Sequence, residues 1–321
     1  MRMKSPFFII NVLIGVVLVT GVLSAGVGAV YVSPADLLSG EQTFLFMNFR
    51  LPRIAVALLV GAGLGVSGAI LQAVIRNPLA SPDVIGITKG AGFAAAATII
   101  LLPGFPPVAL PVAALLGAGI VTAGLYLFAF RQKVQPATLA LVGIALGAIF
   151  QAGIQFLTVR YPVETNAALV WLTGSLWGKG WSDVWMLFPW IIVFFTVAMF
   201  LTKKMDILQL GDDVAEGLGE SVKGARVILL LVSVILAGTS VAIVGTLSFV
   251  GLIAPHIARR LVGNKHIVLL PAAALTGMVL LLIADGLGRG LLPPTEIPAG
   301  IITAIIGAPY FLYLLRKMQR T

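Results

Sequence analysis

The chain has no cysteine, which excludes disulfides, thiolate metal sites and thiol catalysis. It has two histidines and no grouping of them with carboxylates, so no catalytic metal is expected. Charge is scarce as well. Only 10% of the 321 residues are charged, where a soluble domain carries roughly 25%. A chain of this length could not cover a water-facing surface with so few polar groups, and 59% of it is apolar. Lipid is the solvent that accepts such a surface. The sequence also lacks a Gly-Lys-Ser/Thr phosphate loop, so the chain is not expected to bind ATP itself. The net charge of +9 is not gathered with aromatics into a basic patch, which weighs against nucleic acid as a partner.

What is present is a succession of oily runs. Hydropathy and Gly/Pro punctuation predict an all-α, polytopic membrane protein of about ten helices: from Phe7 to about Val30, then near 51–75, 90–102, 108–130, 137–159, 184–202, 226–241, 244–258, 267–286 and 298–315. The third, seventh and eighth are short for a bilayer that needs about 20 helical residues. Ser24, Ala25 and Gly26 close the first run as a signal-peptide site would. Its apolar core exceeds the usual ~7–15 residues, so an uncleaved helix is expected. With the N-terminus inside, 16 of the 21 Lys/Arg fall on the cytoplasmic side, as the positive-inside rule requires. Both termini are therefore expected in the cytoplasm.

Eleven of the twelve acids fall in loops or at span ends. Asp285 is the exception, with Arg289 one turn later as a possible partner. Spans so poor in titratable groups argue against a proton- or sodium-coupled pump, so the energy for transport is expected from elsewhere.

Three regions stand out. The connector 203–226 holds five of the twelve acids and four bases. Ile207, Leu210, Val214 and Leu218 recur there at helical spacing, and Gly211 and Gly219 break the segment into two short helices. It reads either as a solvated connector or as a docking helix with apolar knobs in an acidic rim. Arg50, Arg53 and Arg289 lie at span mouths on the outer side, against the charge bias. They read either as snorkelling cations paired with Asp285 and Glu296, or as guanidiniums offered to a partner's carboxylates. Gln72, Gln151 and Gln155 are candidates for lining a path, with helix-to-helix hydrogen bonding as the alternative.

Glycine motifs mislead in two places. Gly61-Ala62-Gly63-Leu64-Gly65 resembles a nucleotide fingerprint, but it sits in an apolar span with no flanking strand. The four-residue spacing of Gly61/Gly65 and of Gly143/Gly147 instead suits close helix packing. Gly65-Val66-Ser67-Gly68 matches an intramembrane serine protease motif with His256 as its only partner on a span. The two differ in depth by very roughly 8 Å at ~1.5 Å per residue, too far for a nucleophile–base hydrogen bond.

Taken in order, Arg50-Leu51-Pro52-Arg53, Ser67-Gly68-Ala69-Ile70-Leu71-Gln72, Arg76-Asn77-Pro78-Leu79-Ala80-Ser81-Pro82, Leu208-Gln209-Leu210-Gly211, Leu218-Gly219, Phe249-Val250-Gly251-Leu252-Ile253-Ala254-Pro255-His256, Leu269-Leu270-Pro271, Ala284-Asp285, Glu296-Ile297-Pro298 and Gly307-Ala308-Pro309 span nearly the whole chain. Together they resemble the FecCD-type ABC importer permeases, the family that moves iron–siderophores, haem and vitamin B12. The resemblance implies one permease domain over 1–321 with the type II importer fold, in the bacterial cytoplasmic membrane. It implies a second permease subunit, identical or related, an ABC ATPase dimer that carries the ATP and Mg, and an extracytoplasmic binding protein. It implies that Leu208, Leu210, Gly211, Ala215, Leu218, Gly219 and Glu220 seat in the ATPase, and that Arg50, Arg53 and Arg289 meet the binding protein. Ferric siderophore is the cargo expected ahead of vitamin B12 and haem, and an ion-coupled secondary transporter is the more distant alternative.

Overall fold

A computed structural model describes residues 6–28, 42–102, 104–106, 108–129 and 136–318. Arg2, Lys4, Arg131, Lys133 and Arg320 of the charge map, the Val30 end of the first span and the side chain of Lys317 lie outside the described residues. Within them the chain is helical, without strands. In order the helices are α1 (Pro6–Gly26), α2 (Leu51–Ile75), α3 (Ile87–Leu101), α4 (Ala109–Ala129), α5 (Pro136–Arg160), α6 (Thr165–Leu172), α7 (Trp181–Phe200), α8 (Thr202–Leu208), α9 (Asp212–Gly217), α10 (Val222–Val244), α11 (Val250–Val262), α12 (His266–Gly290) and α13 (Ala299–Met318). Eight of the described helices are long and apolar enough to cross a membrane. The expected third and eighth spans, α3 and α11, are shorter, at 15 and 13 residues. This is a multi-pass membrane protein.

Several span ends differ from the hydropathy reading. A short turn Thr43–Leu45 and a π-helical stretch Phe46–Arg50 run directly into α2, so that span begins eight residues before Leu51. The seventh span is full length, because α10 carries Arg226 within its first turns rather than at its edge. The eighth starts later than expected. Gly245 (φ +79°) ends α10, residues 245–249 are not helical, and α11 runs on through Arg259 and Arg260. Hydropathy stops at charges, whereas a helix backbone accepts cations in its last turn, where they oppose the dipole. Unwound backbone inside a membrane protein must be satisfied by other protein groups. Here Gly245 N donates to Val241 O (2.8 Å), Ser248 O accepts from Val250 N (2.9 Å) and Phe249 O from Ile253 N (2.9 Å), while the Thr246 side chain donates through Oγ1 to Leu172 O (2.5 Å). Helix α6 was not anticipated; it is only eight residues long.

The core is the α2–α12 pair, flanked by α10 and α11. Without a hydrophobic drive between helices in lipid, close approach and van der Waals contact must hold them. A Cβ added at Gly61 would lie 2.5 Å from Gly277 O, and one at Gly65 would lie 2.4 Å from Ala273 O. The Gly143/Gly147 pair likewise receives Ile85 and Gly86 from the turn before α3. Both spacings serve packing, as the sequence suggested. Ser67 also belongs to packing. Its Oγ donates to Ser233 O at 2.8 Å, and Ser233 Oγ donates back to Ser67 O at 3.1 Å. A nucleophile held this way on α2 and answered from α10 is no protease serine.

Candidate functional site: the two ends of the bundle

At one end α1 and α12 finish and α2 begins, around three arginines. All three are turned into the protein. Arg50 is 6% exposed, Arg289 4%, and the Arg53 side chain 12%. Arg53 Nε and Nη2 donate to Asp285 Oδ1 at 3.0 and 2.7 Å, and its Nη1 donates to Glu296 Oε2 at 2.8 Å. Asp285, 2% exposed, also faces Arg289, whose Nε lies 3.0 Å from Oδ2. The i,i+4 pairing read from the sequence is therefore made, with Arg53 as its third member.

The remaining guanidinium donors close the end of α1. The last carbonyls of a helix lack intrahelical partners and carry its negative pole. Arg289 Nη2 donates to Ser24 O (2.9 Å) and Ser24 Oγ (2.6 Å), and its Nη1 donates to Val27 O (2.8 Å). Arg50 Nη1 donates to Ala25 O and, at 3.1 Å, to Val27 O. Of the two readings of these arginines, the pairing with Asp285 and Glu296 is thus made. Buried charge must be met where it lies, and here α1, Asp285 and Glu296 meet it.

At the opposite end the connector forms α8 and α9, split at Gly211, whose φ of +113° suits glycine and few other residues. One side faces outward: Leu210, Val214 and Leu218 are 59%, 49% and 62% exposed, and Gly219 is exposed beside them. Glu220 pairs with Lys204. Leu208 and Ala215, expected on the docking side, point inward at 1% and 0% exposure, with Met205. Leu208 and Ala215, seven residues apart, share this inward side, opposite the one that Leu210, Val214 and Leu218 present.

The path candidates divide. Gln72 is 3% exposed. Its Nε2 donates to Leu252 O at 3.4 Å and its Oε1 accepts from Arg259 Nη2 at 3.3 Å. It is a helix-to-helix hydrogen-bonding residue in this structure. Gln151 and Gln155 are exposed on α5, one turn apart. Among the described residues no group of three or more His, Asp or Glu could hold a metal ion.

Comparison with known proteins decides the class. Residues 16–317 match the model of the FecCD transport family. This chain belongs to the FecCD transport family. Its relatives include the Fe(3+)-citrate import system permease protein YfmE of Bacillus subtilis (strain 168), 52% identical over 99% of this chain and 98% of that one. They also include the Fe(3+) dicitrate transport system permease protein FecD of Escherichia coli (strain K12), 44% identical over 87% of each chain. A solved structure described as an inward-facing conformation of a metal-chelate type ABC transporter superposes with a TM-score of 0.87 at 33% identity, covering 98% of this chain and all of its own. A FecCD chain with this fold is a transport permease subunit. The buried arginines and the two-helix connector are features of that permease.

Proposed function

We propose that this FecCD permease carries a ferric chelate of the citrate type across the bacterial cytoplasmic membrane, as the membrane subunit of a binding-protein-dependent ABC importer. The observation that carries the reading is the 52% identity, end to end, with a permease named for Fe(3+)-citrate import. The charge distribution supports it. Every carboxylate among the described residues lies in a connection or within about two turns of a helix end, so the spans form a conduit with no mid-membrane acid to couple an ion gradient. Force enters from outside the membrane, through an ATPase dimer that holds the ATP and Mg. The chain itself hydrolyses nothing.

In this reading the connector end and both termini are cytoplasmic, and Leu210, Val214, Leu218 and Gly219 seat in the ATPase. Large apolar side chains exposed beside acids fit a groove better than open water. The Arg53 end is the extracytoplasmic mouth on which the binding protein sits. Arg50, Arg53 and Arg289 act there from beneath, by fixing the rim formed by α1, α2, α12 and the Glu296 loop. The exposed α5 face with Gln151 and Gln155 borders the path, which a second permease subunit completes.

The test is uptake of 55Fe(III)-citrate by vesicles holding permease, ATPase and binding protein. Uptake should require ATP; accumulation driven by an ion gradient alone would overturn the proposal. Leu218→Asp places a charge on the docking side and should release the ATPase from the detergent-purified complex. Co-purification at the native ratio would remove Leu218 from the interface.

A further inference from the structure

The connector is fastened into the bundle by two of its own carboxylates, each of which reaches a different core helix. Asp212, at the start of α9, accepts from Arg76 Nη2 and, at 2.8 Å, from Arg226 Nη2. Arg76 also donates through Nε to Leu208 O at 2.7 Å. Arg76 is the residue that ends α2, and it stands at φ +52°, in the left-handed region that side chains other than glycine seldom adopt. Such a conformation persists where its surroundings over-determine it, and here the grip on Leu208 and Asp212 does so. Arg226 lies on α10 and is almost wholly buried. Asp206, on α8, takes hold of α12. Its Oδ1 accepts from the backbone N of His266 at 3.1 Å and pairs with His266 Nδ1 at 2.6 Å. His266 is the first residue of α12 and has no exposed surface.

The two helices gripped here, α2 and α12, are the pair that glycines bring into backbone contact along the middle of the bundle. They are also the pair that Arg53 and Asp285 join at the far end. A strut with its ends tied and its middle packed without space behaves as one body, since packed interfaces shift between discrete arrangements rather than deform smoothly.

We infer that Asp212 and Asp206 are positioning residues that make the connector one body with the α2–α12 strut, so that a displacement of α8 and α9 is delivered to the Arg53 mouth some two dozen residues of helix away. This rests on the proposal that the connector docks an ATPase and the mouth a binding protein. Asp212 turns inward to the arginines while Leu210, Val214 and Leu218 face out, so removing its charge loosens the strut without altering the docking side.

The experiment uses the complete complex in vesicles and reads four quantities: ATPase retained, basal ATP hydrolysis, its stimulation by loaded binding protein, and 55Fe delivered per ATP. Asp212→Asn should keep the ATPase at the native ratio and basal hydrolysis within about twofold. Stimulation and iron per ATP should each fall at least about fivefold, and Asp212→Glu should recover much of both. Native iron per ATP in Asp212→Asn overturns the inference. Should Asp212→Asn not assemble, the same ratio is read in Arg76→Lys, which keeps the cation but loses the Nε donor to Leu208; a native value there overturns it as well. Failure of the unmodified permease to retain an ATPase or to respond to the binding protein refutes the parent proposal instead, so the two failures are distinguishable.

Discussion

Asp285→Ala should destabilise the permease by about 3–5 kcal/mol, the cost of leaving buried charge without its partner. Asp285 is shared by Arg53 and Arg289, so one truncation leaves Arg289, 4% exposed in its side chain, without a carboxylate and Arg53, 12% exposed, with Glu296 alone. For a chain of this size the loss corresponds to a drop on the order of 8 °C in the unfolding midpoint, read at fixed scan rate on detergent-purified protein. Glu296→Gln is the comparison. Glu296 is 24% exposed and leaves Arg53 with Asp285 when its charge is removed, so it should cost under about 1 kcal/mol. Equal midpoints for the two variants would show that Asp285 carries no such burden. The same geometry bears on charge reversal of Arg50, Arg53 and Arg289. Glu at these positions would face Asp285 or the carbonyls that end α1, so such variants report on folding before they report on capture of a binding protein.

Gly68→Ala is the second large effect. A Cβ there would stand 1.7 Å from Gly251 O, with Gly251 C and Cα at 2.6 and 2.9 Å. Those atoms are backbone of α11 and have no rotamer to change. Relief would require α2 and α11 to separate, against α12 packed on both, so the cost should reach roughly 3 kcal/mol or more, at or beyond the upper end of ordinary overpacking. Folded protein recovered after detergent extraction should fall sharply. Gly119→Ala is the matched control: nothing lies within 4 Å of its added Cβ. It should remain within about 1 kcal/mol of the native protein, on the favourable side, since Ala is the better helix former. A Gly68→Ala protein that extracts and melts like Gly119→Ala would mean that the α2–α11 contact is looser than the geometry requires.

Much of the fold was legible. Long runs such as 108–130 and 137–159 fell within a residue or so of α4 and α5. Glycines four apart marked two real contacts, and Gly211 marked the real break in the connector. Misses arose where the signal was not additive along the chain. Helix α6 is too short for a hydropathy window to separate from its flanking turns. The unwound stretch 245–249 reads as apolar and continuous, yet it is held open by carbonyl contacts to 172–175 and by Phe249 at φ +65°. On the connector, periodicity found the outward side of Leu210, Val214 and Leu218, whereas Leu208 and Ala215, named through the family resemblance, turn the other way.

The sequence by itself determined that this is a multi-pass helical membrane protein and where most of its spans lie. Each rests on the cost of placing a residue type in lipid, and such costs add residue by residue without knowledge of neighbours. Only the tertiary structure decided what the charges do. Arg53 meets Asp285 across 232 positions of chain and Arg76 meets Asp212 across 136. A guanidinium at a membrane mouth looks the same in sequence whether it faces a partner or closes on its own protein; distance alone separates the two.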